Sequence, residues 1–101
     1  MANDSKVSEP LQDLAAVRAG LVLVETAPLS EIIARLEPRA GAGAPFRHTA
    51  REIIVLAAWR AGDVATVRRW SDQVREDAET PPGVRALVDT LMALATESGK
   101  S

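Results

Sequence analysis

Few side chains in this sequence are of a type that does chemistry. His48 is the single histidine. A metal centre or a catalytic imidazole would need further ligands or partners that no second imidazole or thiol supplies. Its position favours a solvated or capping role at the start of a helix. Ser8, Ser30, Ser71 and Ser98 have no histidine and carboxylate arranged around them, and no Gly-x-Ser-x-Gly elbow occurs. The Gly41-Ala-Gly43 segment lacks the Lys and Ser/Thr of a phosphate loop and follows no strand. No catalytic, metal or cofactor site is expected, and the chain does not read as an enzyme.

The arginines are the other candidates. Arg47, Arg51, Arg60, Arg68, Arg69, Arg75 and Arg85 all fall from residue 47 onward. As a solvated surface they would include the four-apart pairs Arg68–Asp72 and Arg75–Glu79, worth ~0.3–0.5 kcal/mol each. A functional reading puts Thr49, Glu52, Leu56, Trp59 and Arg60 on the inner face of a groove, extended by Leu14, Val17, Leu21, Val24 and Glu25. Trp and Arg are the types most enriched where proteins bind one another. Core packing competes for Leu56 and Trp59, because a short helix that is apolar all round is usually interior. Trp70, between Val67 and Val74, reads as packing between two helices.

Composition sets the frame for these residues. The chain has 101 residues, 47% apolar and 26% charged, enough for one domain with a modest core and too apolar for disorder. A net charge of -2 argues against electrostatic binding of nucleic acid. There is no cysteine, which removes disulfides, thiolate metal sites and thiol catalysis. The longest apolar run, Ile53 to Trp59, is far short of the ~18 residues a bilayer span needs. Residues 2–9 are polar and lack the pattern of a signal peptide.

Proline and glycine punctuate five helices, expected near residues 10–25, 28–37, 46–61, 63–78 and 82–96. Residues 1–9 are expected to be a disordered or artificially added start, residues 10–98 a tetratricopeptide-like helical repeat domain and residues 99–101 a frayed tail. Leu11, Ala15 and Val22 make one stripe on the first helix, and Leu14, Val17, Leu21 and Val24 a second, implying neighbours on both sides. Thr26 is placed to cap the second helix, and Pro38 to end it. Arg39 to Pro45 reads as a plain linker. Thr49 with Glu52 would form a capping box if the third helix started late. Gly62 stops that helix and Asp63 caps the fourth. Val84, Leu87, Val88, Leu91, Leu94 and Ala95 give the fifth a broad apolar face, with Arg85, Asp89 and Glu97 outward. Gly20 to Val24 and Ile53 to Leu56 also suit buried strands; the long flanking stretches of helix formers favour helix. The expected core comprises Leu21, Ile32, Leu36, Ile54, Ala57, Val67, Val74, Leu87 and Leu91.

Ala27-Pro28 and Gly62-Asp63 break two helical hairpins about 35 residues apart, close to the ~34-residue period of tetratricopeptide repeats. The predicted fold is therefore all-α: tetratricopeptide-like helical hairpins, five helices in all, the last one capping the stack. The segments Phe46–Glu52, Leu56-Ala-Ala-Trp-Arg-Ala-Gly-Asp63, Arg68-Arg-Trp70 and Glu79-Thr-Pro-Pro-Gly83 carry a family resemblance, as do Leu21–Pro28 and Ala34–Pro38. They resemble the C-terminal periplasmic part of the tetratricopeptide-repeat-like inner-membrane proteins of proteobacteria, the alphaproteobacterial branch above all. The resemblance spans Leu11 to Leu94. It departs from the repeat pattern where Val55 replaces the small residue present at Gly20, and where Val67 and Ser71 replace an alanine and an aromatic.

The resemblance implies a protein–protein interaction module on the periplasmic side of the inner membrane, with an anchor upstream. The implied partners are Sec translocon components or periplasmic chaperones. A homo-oligomerising structural domain with no separate ligand is the alternative.

Overall fold

The computed structural model describes residues 9–100, and the side chains of residues 14–97. The expectations for the first eight residues, for Leu11 and for the Ser98 side chain lie outside those described. Five helices follow one another: α1 (Glu9–Leu23), α2 (Leu29–Leu36), α3 (Arg47–Ala61), α4 (Val64–Glu76) and α5 (Pro82–Lys100). A 3-10 turn, Glu37–Arg39, extends α2. α5 stays helical one turn past its expected end at residue 96.

The order of packing is regular. α1 lies against α2 and α3, α2 against α3, α3 against α4 and α5, and α4 against α5. α3 is thus the axis of the molecule, which explains its continuous apolar run. Ala50, Arg51, Ile53, Ile54, Val55, Ala57 and Ala58 are all buried on it. With Ile32, Leu36, Val67, Trp70, Val74, Val88, Leu91 and Ala95, its apolar members form one core.

Local chemistry sets the turns. Gly62 adopts φ +75°, the left-handed conformation that closes a helix, with its N–H on the Trp59 carbonyl at 3.1 Å and the Asp63 N–H on that of Ala58 at 3.0 Å. Asp63 then starts α4 by accepting the Thr66 N–H at 3.1 Å and the Thr66 hydroxyl at 2.8 Å. The other expected caps differ. Pro28, not Thr26, precedes α2, and its carbonyl receives the N–H groups of Glu31 and Ile32. α3 begins at Arg47 behind Phe46 with no side-chain cap, so Thr49 and Glu52 form no capping box. α1 stops at Leu23, leaving Glu25 in the turn that Thr26 and Ala27 close onto the Leu23 carbonyl.

Two further expectations are corrected. Leu21 and Leu87 are not core; they are 52% and 38% exposed. The segment after Pro38 is no plain linker, since Ala40 is fully buried within the core.

α2 and α4 begin 35 residues apart, at Leu29 and Val64, and so do α3 and α5, at Arg47 and Pro82. Ile32 and Val67, one such offset apart, are both fully enclosed. A Cβ on Gly20 would sit 2.8 Å from Leu36 Cδ1, so the glycine lets α1 and α2 approach closely. The corresponding residues of the second hairpin are Val55 and Ser71, both fully buried. The large and small members have exchanged helices.

Candidate functional site

Arg47 and Arg51 lie one helical turn apart at the start of α3, an arrangement that repels unless an anion is shared. Asp77, the residue that ends α4, is that anion. Arg47 Nε donates to Asp77 Oδ2 at 2.5 Å and Arg51 Nη1 donates to the same oxygen at 3.0 Å. Arg47 also reaches Glu79 at 2.6 Å. Arg51 Nε donates to the Ala40 carbonyl at 2.8 Å, and Arg47 Nη1 to that of Ala44 at 3.2 Å, which is what holds the 39–45 segment in place. Arg85 adds a bond to the Asp77 carbonyl at 3.3 Å, so it turns inward rather than to solvent. The solvated-surface reading of the arginines fails here: Arg51 is 4% exposed.

This cluster anchors the start of α3 to the end of α4. Arg47 holds the Asp77 carboxyl well below the usual carboxylate range, helped by the Glu79 N–H and by Arg51. In return Asp77 and Glu79 hold the Arg47 guanidinium above its already high value. A carboxylate so fully donated to has no basicity left for proton transfer. His48 is half-buried beside it, its Nδ1 enclosed with no partner. Burial, and then the charge of Arg47, push its imidazole below the ordinary value, and α3 starts without a side-chain cap, so His48 does not cap it. Among the described residues no group of three His, Asp or Glu is placed to hold a metal ion.

The second feature is the side of α3 that the core does not enclose. His48, Thr49, Glu52, Leu56 and Trp59 are half-buried there and Arg60 is exposed, whereas the opposite side of the helix is buried. Of the residues expected beside them, Val17 is buried and Leu14 half-buried on α1, Leu21 is exposed at its end, and Val24 (half-buried) and Glu25 (exposed) lie in the turn that follows. The 35-residue offset carries this face onto α5 only in part, because Leu56 and Arg60 correspond to Leu91 and Ala95, which are buried. Glu52 and Trp59 correspond to Leu87 and Leu94, which are 38% and 42% exposed. Leu21 and Leu94 therefore share register positions with Leu56 and Trp59, and Leu87 with Glu52. Leu87 and Leu94 do not cover the core as the apolar pattern of α5 predicts; Val88, Leu91 and Ala95 do that instead.

At one end the face opens into a cleft of about 590 Å³ lined by Trp59, Arg60, Gly62, Val64, Val67 and Ala95, among others. Trp70 is buried in the core, with Arg69 5.4 Å above its ring. In place of the expected Arg68–Asp72 and Arg75–Glu79 pairs, Arg75 bonds Asp89 at 3.0 Å and Arg69 bonds Glu37 at 3.3 Å, while Arg35 and Glu31, four apart, meet at 3.8 Å. No helix among the described residues is long and apolar enough to cross a membrane. No protein-family model, curated protein or solved structure matches this chain.

Proposed function

We propose that this chain is a tetratricopeptide-like scaffold that docks a protein partner on the inner face formed by α1, α3 and α5. The observation that carries the reading is the register of the exposed apolar residues. Leu21 and Leu94 stay open to solvent at positions that the 35-residue offset aligns with Leu56 and Trp59, and Leu87 does so at the position aligned with Glu52. Scattered apolar residues need no explanation, but apolar residues recurring on one face of successive units form a patch. The helix order agrees, since first helices touch first helices and each second helix touches the next first helix. α5 also fits a cap. Where α3 buries Ile54, Val55 and Ala58, the same offset on α5 gives Asp89, Thr90 and Ala93, all exposed. A last repeat needs such a polar outer side.

The family resemblance of segments such as Leu21–Pro28 and Phe46–Glu52 is what supports a periplasmic setting with an anchored parent, and Sec translocon components or periplasmic chaperones as partners. Site-specific photocrosslinking tests the docking face. A photoreactive residue at Leu56 or Leu94 is expected to give discrete adducts in an envelope extract, and one at Arg68 or Asp72, on the exposed side of α4, none. Equal yields from both sides would remove the reading.

Val22 favours the homo-oligomeric alternative. It is 77% exposed and lies off the inner face of α1. Light scattering at high concentration decides between the two, since a strict monomer rules the alternative out.

A further inference from the structure

The inner face carries two charges that nothing among the described residues answers. Glu52 is half-buried in the second turn of α3 and Arg60 is exposed in its last turn. Neither makes a hydrogen bond or ion pair among the described residues. Arg60 shares that state with the exposed Arg68, Asp72 and Glu76, whereas Glu52 is half-buried. A carboxylate drawn out of water without a donor costs stability, and burial accordingly pushes the Glu52 carboxyl up. Such a group is well placed only if something else supplies the donor. At 1.5 Å of rise per residue, Glu52 and Arg60 stand about 12 Å apart along the helix. Leu56 and Trp59 lie between them, and Leu87 and Leu94 occupy the aligned face of α5.

We infer that this face takes an apolar-faced helical segment of a partner protein, with a Lys or Arg opposite Glu52 and an Asp or Glu opposite Arg60. In a helical ligand the two charges stand about eight residues apart, with large apolar side chains between them against Leu56 and Trp59. The apolar contacts supply affinity, and the order of the charges sets direction, because a reversed segment would bring like charges together. The inference rests on the docking role proposed for this face and adds the chemistry of the ligand to it.

A displayed library of random helical peptides, selected on the intact chain, tests it. The enriched sequences are expected to carry the cation and the carboxylate at that separation, flanked by apolar residues. Their affinity should fall about tenfold or more with Glu52→Lys, and fall less with the near-isosteric Glu52→Gln. It should return when the charges of the peptide are exchanged against the double variant Glu52→Lys/Arg60→Glu. Circular dichroism checks that each variant keeps its helices. Enriched peptides without the charge pair overturn the inference, as do peptides indifferent to Glu52→Lys, a library that yields no binder, or self-association of the chain on this face. If such peptides still lose binding with Leu56→Asp, the docking face stands and only its charge code falls. If Leu56→Asp also has no effect, both fall.

Discussion

Arg51 and Asp77 lie 26 residues apart in sequence, and their 3.0 Å bond joins the first turns of α3 to the end of α4. The same guanidinium holds the Ala40 carbonyl at 2.8 Å. One buried side chain thus ties three separate segments together. Arg51→Met keeps most of the apolar stem but loses both bonds, and should cost about 1.5–3 kcal/mol in urea unfolding. Amide exchange at residues 40–44 should speed up more than exchange in α5. Unchanged exchange there would show that Arg51 does not hold the segment.

Acid should weaken the fold in two steps. The His48 imidazole is pushed down in the folded state, so protonation favours the unfolded chain. Its contribution is complete above about pH 6.5 and is lost as pH falls from there toward the folded value. Asp77 is also held low, so its contribution is present above about pH 3.9 and is lost as pH falls further. His48→Phe should erase the first step and leave the second. A single step near pH 4 in the unaltered chain would contradict the account of His48.

Glu52 works in the opposite direction. Its carboxyl is pushed up by burial, so the folded state prefers the neutral form and stability is lost as pH rises through the unfolded value near 4.3. Glu52→Gln should therefore stabilise the chain at pH 7, and the difference should shrink as pH falls below about 4.3. A variant less stable than the parent at pH 7 would mean that Glu52 has a partner within the fold.

Gly20 and Leu36 should be energetically coupled. A side chain at Gly20 meets Leu36 Cδ1 at 2.8 Å, and Leu36 is fully buried. Gly20→Val should cost about 1–3 kcal/mol through overpacking, and part of that should return when Leu36→Ala is added. Additive costs in the double variant would place the strain elsewhere. Ile54→Ala, in the centre of α3, should cost about 2–5 kcal/mol with no compensating partner.

The turn chemistry is the most legible part of the sequence. Gly62-Asp63 marks the α3–α4 turn because glycine takes the left-handed position and aspartate caps the next helix, and both are local effects. Pro82 and Pro28 mark the starts of α5 and α2 for similar reasons. The parts that sequence hides are non-local. Arg47 and Arg51 bind Asp77 from 30 and 26 residues away, and no spacing rule connects them, although two cations four apart do call for a shared anion. Leu21 and Leu87 look like core residues because an apolar residue at helical spacing reads the same whether it faces the interior or an open inner face. Only the packing order of the helices separates the two. Of the groove residues, Glu52, Leu56, Trp59, Arg60, Leu14 and Leu21 keep at least part of their surface, whereas Val17 turns into the core and Glu25 falls in a turn. Leu87 and Leu94 join the groove only through the structure.

The central claim is that one face, repeated across α1, α3 and α5, is where a partner sits. Nuclear magnetic resonance of the labelled chain, titrated with the tightest peptide from the display selection, tests it most directly. Shift changes should concentrate at residues 52–60 and 84–94, reach Leu14 and Leu21, and leave the exposed side of α4 from Arg68 to Glu76 unmoved. Changes centred on α4, or on Val22 alone, would contradict the account.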